Sequence, residues 1–440
     1  MAGTIEKKKG GLRWWVVGLV ALAAVINYID RQAFGALWPD IAEELFPGKG
    51  PDERKEVYAK ITTIFVLSYA FGQAIFGKIF DWIGTRIGFA LSIGVWSIAT
   101  MLHAFAKGMV SFAIFRSLLG IAEAGNWPGA AKANAEWFPT KERAFAQGLF
   151  NSGAAIGGII SYPLIGIFAG FMSWQTIFLT VGIIGFLWLL PWFYIVKAPP
   201  EKHPWLSEEE KEYILSGQKN IESDGITTSD GYNPSTGKLL GHKESWGIII
   251  ASAAIDPIWW LFVGFIPIYL NEVYGMNVKE IAFSAWLPYV GAMIGAWFGG
   301  LLAQNRLSIG WSVNNTRKMV ITLGCLIMVP CFFLLRAPGS SLNAVIIMAV
   351  LLFGFQTAVG NVQTLPSDYF SGKIVGTLSG FAGMAAKPAG AGLVYLVPKL
   401  SVGGNYTPAF LIGGALAIIA LASIWLLCPR IQPLKPKTTF

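Results

Sequence analysis

The chain has 440 residues, 54% of them hydrophobic and only 13% charged, with 51 glycines and 18 tryptophans. That balance excludes an ordinary soluble globular domain, and apolar segments long enough to cross a hydrocarbon core of about 30 Å recur along the whole length. The formal net charge of +8 does not mark a nucleic-acid partner, because the basic residues are scattered over short loops between apolar segments.

The N-terminus imitates a signal peptide, with Lys7, Lys8 and Lys9 before an apolar run and Ala21-Leu22-Ala23 as a cleavage-like stretch. Cleavage there would remove the front of a segment that continues to Trp38, so the sequence is read as a first span instead. That span holds Asn27-Tyr28-Ile29-Asp30-Arg31, two adjacent formal charges that hydrocarbon tolerates only where they face protein or a water-filled cavity. Breaks at Gly and Pro, charge clusters and aromatic edges give about twelve spans. The first six cover about 12–38, 58–81, 86–106, 108–131, 143–170 and 174–196. The second six cover about 246–271, 278–303, 317–336, 342–366, 374–397 and 406–428.

Two six-helix bundles, residues 1–196 and 246–440, are therefore expected around a polar central loop, 197–245. The front of that loop, Pro204 to Lys219, has the pattern of a short amphipathic helix capped by Ser207, and the stretch from Asp224 to Gly241 reads as flexible linker. Lys and Arg gather on one side: Arg13, Lys78, Arg86, Lys132, Lys141, Arg143, Arg306, Arg317, Lys318, the central loop and the tail with Arg430, Lys435 and Lys437. Asp40, Glu43, Glu44, Asp52, Glu53 and Glu56 fall on the other, which makes both termini cytoplasmic. Glu136-Trp137-Phe138, Lys141 and Gly148 recur 232 residues on as Asp368-Tyr369-Phe370, Lys373 and Gly380, a trace of a parallel repeat between the halves. Cys325, Cys331 and Cys428 lie in apolar segments without metal-ligand spacing and read as buried free thiols.

Gly77, Asp81, Gly84 and Arg86, in the loop after the second span, resemble the cytoplasmic loop signature of the major facilitator superfamily. The second half departs from it, since around Gly299 to Arg306 the acidic position is Ala303; a gating interaction is therefore expected to be stronger in the first half. Asn27 to Arg31, Gly120 to Pro128, Glu136 to Pro139 with Lys141-Glu142-Arg143, and Phe150 to Gly153 are similar to the anion:cation symporters, in particular the hexuronate branch. Asp256-Pro257-Ile258-Trp259-Trp260 and Gly310 to Asn314 with Arg317-Lys318 carry the same likeness into the second half. The resemblance implies uptake of a sugar acid with protons across a bacterial inner membrane.

Helix rise places Asp30 and Arg116 each about 12 Å from the non-cytoplasmic side, with Glu123 two turns below Arg116 and about 10 Å deeper. Asp30, Arg31, Arg116 and Glu123 can thus share one cavity with cancelling charges. One reading is a neutral network that only ties helices together. The other assigns Arg31 to a substrate carboxylate through its planar fork, Asp30 and Glu123 to proton transfer, and Arg116 to Asp30 as its ion-pair partner; the resemblance implies the same roles. Tyr28, Tyr69, Gln147, Asn151, Gln356, Asn361 and Gln363 are polar groups within spans that could bind hydroxyls or join helices. Trp259 and Trp260 could stack on a sugar face or mark a membrane edge. Lys387, beside Pro388, either faces the cavity as a second positive charge suited to a modified or dianionic acid, or snorkels. His103 reads as interfacial, with a proton-path role as the alternative.

The expectation is an all-α polytopic membrane protein of the major facilitator fold, a proton-coupled symporter importing a hexuronate by alternating access, and a monomer. An aldonate such as galactonate or an unsaturated uronate is the close rival. No cofactor or metal is expected; the proton gradient drives transport, and sodium is the alternative coupling ion. An enzyme would need a nucleophile with its base or a metal cluster, which His103, His203 and His242 do not make. A substrate sensor would carry an output domain, a channel would not need a buried titrating carboxylate pair, and a sugar-phosphate antiporter would want an Arg in the seventh span.

Overall fold

In the computed structural model, the described residues are 11–219, 232–276, 280–281, 284–370, 373–401 and 404–434. The first half contains α1 (Leu12–Leu45), α2 (Pro51–Leu102), α3 (Met109–Glu123), α4 (Asn126–Trp137), α5 (Arg143–Ala169) and α6 (Trp174–Ile195). The connector carries α7 (Glu208–Lys219) and α8 (Thr236–Leu240). The second half contains α9 (Lys243–Tyr274), α10 (Leu287–Ser308), α11 (Val313–Leu334), α12 (Ser341–Tyr369), α13 (Val375–Leu400) and α14 (Thr407–Leu427). One core of buried side chains runs from Leu239 to Ile431, and two others draw only on residues up to Ile214, so each half packs on its own interior.

Eight helices among the described residues are long and apolar enough to cross a membrane. The difference from the expected twelve spans has local causes. The second and third spans form one helix of 52 residues, α2, turned at Gly84, whose φ of 76° is a left-handed conformation that glycine adopts without a Cβ penalty. The fourth span is broken into α3 and α4 because Pro128 has no N–H to give Ala124 and its ring crowds that carbonyl. α10 and α13 are both diluted by glycines, and α13 also carries Lys387. α1 overruns its expected end at Pro39 and stops at Leu45, where the Phe46 N–H reaches Ala42 O at 3.1 Å.

Small residues set how closely the helices meet. A Cβ on Gly72 would lie 2.6 Å from Ile121 O, and one on Gly120 would lie 2.7 Å from Phe65 O, so α2 and α3 touch backbone to backbone just before Glu123. Between the halves, a Cβ on Gly77 would sit 2.3 Å from Gly376 O, one on Gly380 2.3 Å from Gln73 O, and one on Gly148 2.4 Å from Ala296 O. The contacts between the halves lie toward the end of the bundle that carries the connector, called here the connector end.

At that end Asp81 caps a helix of the opposite half. Its carboxylate accepts the Gly376 N–H at 3.0 Å and the Thr377 N–H at 2.5 Å, at the start of α13, and also the Lys132 Nζ at 3.1 Å. A carboxylate there satisfies orphan donors and meets the positive end of the helix dipole. In the second half Ala303 instead packs in a small apolar cluster with Ala144 and Val320. Two arginines cross the seam in a near-symmetric pair: Arg143 Nη1 donates to Ser367 O at 2.9 Å and Arg317 Nη2 donates to Thr140 O at 3.2 Å. Arg86 belongs to the first half only, donating to Val196 O at 2.7 Å with Phe193 under its guanidinium.

The connector docks on the first half. Ser207 Oγ accepts the Glu210 N–H at 3.1 Å at the start of α7, and Glu210 in turn accepts Arg13 Nη1 at 2.8 Å, while Arg13 Nε reaches Glu142 at 2.8 Å. The expected linker from Asp224 onward falls outside the described residues up to 231 and then forms α8. Lys7, Lys8, Lys9, Lys435 and Lys437 also lie outside the described residues.

Candidate functional site

A cavity of about 700 Å³ lies between the halves, lined by Gln73 and Trp127 from the first and by Asp256, Gln363 and Lys387 from the second. A smaller lobe of about 420 Å³ shares Trp127, Asp256, Gln363 and Lys387 and reaches Tyr28, Arg31, Asn151 and Trp259.

On the first-half wall, Arg31 Nη2 donates to Glu123 Oε2 at 3.2 Å and to Asn27 Oδ1 at 3.2 Å. Three rings hold the guanidinium in place, with Tyr69, Tyr28 and Phe65 centroids 4.9, 5.3 and 5.6 Å from its carbon. The break after Glu123 and the close approach of Gly72 to α3 bring that carboxylate up to Arg31. Glu123 is fully buried behind Arg31, with Oε1 lacking a partner. Asp30 is buried one turn before Phe34, accepts the Thr100 hydroxyl, and leaves Oδ1 without a partner.

Arg116 does not form the expected ion pair with Asp30. Among the described residues it has no carboxylate within salt-bridge distance; its guanidinium lies 4.2 Å from the Phe34 centroid and 5.0 Å from that of Phe65, with Nε and Nη1 lacking partners. The aromatic faces take the place of the carboxylate. His103 is not interfacial either. It is fully buried, with Nδ1 2.7 Å from Ala99 O and its ring stacked on Phe178 at 5.1 Å.

The polar groups divide. Gln147 and Asn151 both donate to Gln363 Oε1, at 3.0 and 2.9 Å, so an amide chain crosses the cavity from one half to the other. Asn134 extends it, donating to Gln147 Oε1 at 2.6 Å. Tyr69 is buried and packs on Arg31 rather than on the cavity. Asn361 is removed from the cavity altogether: it is fully buried, accepts Arg317 Nη1 at 3.1 Å and donates to Gly299 O at 3.3 Å. Its amide is used up in holding Arg317, which is ion-paired with Asp368 at 2.8 Å.

On the second-half wall Lys387 faces the cavity but is not a free charge. Its Nζ donates to both oxygens of Asp256, at 3.1 and 2.9 Å, and the Trp260 indole N–H adds a third bond to Asp256 at 2.9 Å. Trp259 lines the smaller lobe and stacks on Phe355 at 5.8 Å. The readings of single residues did not join Asp256 to Lys387. The available signal was the same one that marked Asp30: two opposite charges inside spans of one half need each other.

A model of the Major Facilitator Superfamily matches residues 20–395. The chain belongs to the major facilitator superfamily. It is 32% identical over 427 residues to the hexuronate transporter of Escherichia coli K12, covering 95% of this chain and 94% of that one. It is 35% identical over 322 residues to the galacturonate transporter of Dickeya chrysanthemi, covering 72% of this chain and 90% of that protein. The structure of the proton:xylose symporter XylE bound to 6-bromo-6-deoxy-D-glucose superposes with a TM-score of 0.70 at 14% identity, over 97% of this chain and 98% of that one. Membership of this superfamily makes the chain a multi-pass membrane transporter and not an enzyme. The fold is twelve spans in two six-helix bundles, with the cavity between them.

Proposed function

We propose that the protein is a proton-coupled symporter that imports a hexuronate, with Arg31 as the anchor for the substrate carboxylate. The Arg31–Glu123 ion pair on the cavity wall carries this reading. While Glu123 is ionised it occupies the cation that a sugar acid needs. A proton on Glu123 cancels that attraction and leaves Arg31 to an incoming carboxylate, with Asp30 as the second carrier and Arg116 adding positive potential behind it. Proton and substrate therefore favour each other's binding, and the coupling is reciprocal. Tyr28, Gln147, Asn151 and Trp259 meet the sugar body, as hydrogen-bonding groups and a ring face.

The names of the hexuronate and galacturonate relatives support the substrate class. The excess of Lys and Arg at the connector end makes that end cytoplasmic, in a bacterial inner membrane, and the protein acts as a monomer. With the halves joined by Asp81, Arg143 and Arg317, this conformation is closed toward the cytoplasm. Rocking of the two halves then delivers the load.

The test is uptake by proteoliposomes under an imposed inward proton gradient, offering glucuronate, galacturonate, galactonate or an unsaturated uronate. The wild type is expected to concentrate a hexuronate and to lose it when the gradient collapses; Glu123→Gln is expected to equilibrate it without concentrating it. Uptake indifferent to the gradient would overturn proton coupling. Accumulation of galactonate alone would replace the hexuronate with an aldonate.

A further inference from the structure

Opposite Arg31, the cavity ends on an ion pair that the transport reading leaves unused. Asp256 stands on α9 and Lys387 on α13, both in the second half, and both line the lobe that Arg31 lines from the first. Lys387 Nζ grips both Asp256 oxygens, at 3.1 and 2.9 Å, and Trp260 fixes the same carboxylate at 2.9 Å. The pair is only partly covered, with side-chain exposures of 11% for Lys387 and 26% for Asp256, so both groups meet whatever fills the lobe.

The two walls therefore present different charge. At the first, Arg31 is held by a carboxylate that a proton can neutralise. At the second, the cation and the anion lie side by side and cancel. A ligand spanning the lobe with its carboxylate on Arg31 brings its other end to Asp256 and Lys387. A hydroxylated, uncharged end suits a neutral pair, donating to the carboxylate and accepting from the ammonium. A second carboxylate would face Asp256 at short range in a medium of low polarity, where like charges repel strongly.

We propose that the Asp256–Lys387 pair is the specificity filter of this site, admitting sugar acids with one carboxylate and rejecting the dicarboxylates made by oxidising the far end of the same sugars. Lys387 alone would select the opposite class; Asp256 cancels its charge. The inference rests on the reading of Arg31 as the carboxylate anchor.

The test compares glucuronate with glucarate, its open-chain product of oxidation at the far carbon, in the same proteoliposomes, and reads the change in their ratio between variants, in which the loss of the ring cancels. Wild type is expected to take up glucuronate at least tenfold faster than glucarate at equal concentration. Asp256→Asn releases Lys387 as a second cation, and the ratio is expected to shift at least tenfold toward glucarate. Lys387→Gln leaves Asp256 uncompensated, and glucarate uptake is expected to fall further than glucuronate uptake. The double variant is neutral again, and its ratio is expected within threefold of wild type. Size-exclusion profiles and thermal unfolding of each variant identify any that misfold, and the Lys387→Gln arm carries the comparison if Asp256→Asn does. An unchanged ratio in a folded single variant overturns the filter and leaves the transport reading standing. A wild type that takes up neither acid removes both.

Discussion

At the residue scale, the site is governed by which partner each buried charge has. Arg31 shares one nitrogen between Glu123 and Asn27 and lies among three rings, so its plane is fixed before any ligand arrives. Lysine would keep the charge but lose the fork and the stacking. Arg31→Lys is expected to weaken glucuronate binding by about 2 kcal/mol, roughly thirtyfold, the worth of a charge-assisted hydrogen bond. A binding isotherm on folded protein checks this; unchanged affinity would move the carboxylate anchor elsewhere. Asp30, Arg31, Arg116 and Glu123 were legible in the sequence because charges are rare inside spans and helix rise gives their depth. Their pairing was not. Depth cannot tell that Phe34 and Phe65 lie against Arg116 while Thr100 takes Asp30. Asn361 misled for the same reason: an amide within a span looks alike whether it meets a ligand or, as here, an arginine.

At the element scale, the interruption between α3 and α4 positions the site. Glu123 is the last residue of α3, and the helix resumes at Asn126 because Pro128 withholds a hydrogen bond from Ala124. Pro128→Ala restores that donor and favours a continuous helix, which would turn Glu123 away from Arg31. The expected outcome is at least a tenfold loss of gradient-driven glucuronate uptake without a lower unfolding temperature, measured on the same preparation. A large loss of stability with normal uptake per folded molecule would show that the break serves packing instead. The motif from Gly120 to Pro128 was visible in the sequence, but a run of apolar residues read at span length conceals a break within it. The same is true of α2, where a single glycine at φ 76° turns the chain within an otherwise continuous helix.

For the whole molecule, the seam at the connector end sets which side of the cavity is closed. Asp81 carries a negative charge at that seam, bonding two N–H groups at the start of α13 and Lys132 in its own half. Asp81→Asn keeps the shape but weakens the attraction to the helix dipole and to Lys132. It is expected to raise maleimide labelling severalfold at a cysteine placed at Ser379, which lines the cavity near the seam, with the native cysteines buried. Labelling unchanged from the Ser379→Cys parent would show that close glycine packing alone holds the seam. The layout of two halves followed from span length and the Lys and Arg bias. Asp81 as a cap across the halves could not be read, because nothing in a linear pattern says which helix start from the other half faces it.

The central claim is that a proton on Glu123 frees Arg31 for the substrate, and proton uptake on binding tests it most directly. Glucuronate is added to purified protein in a weakly buffered solution near neutral pH and the pH is recorded, with glucose as the uncharged control. Linkage requires the wild type to take up protons as the acid binds, so the solution turns more alkaline, while Glu123→Gln binds with a much smaller change. Binding without proton uptake in the wild type, or the same uptake in Glu123→Gln, would contradict the account.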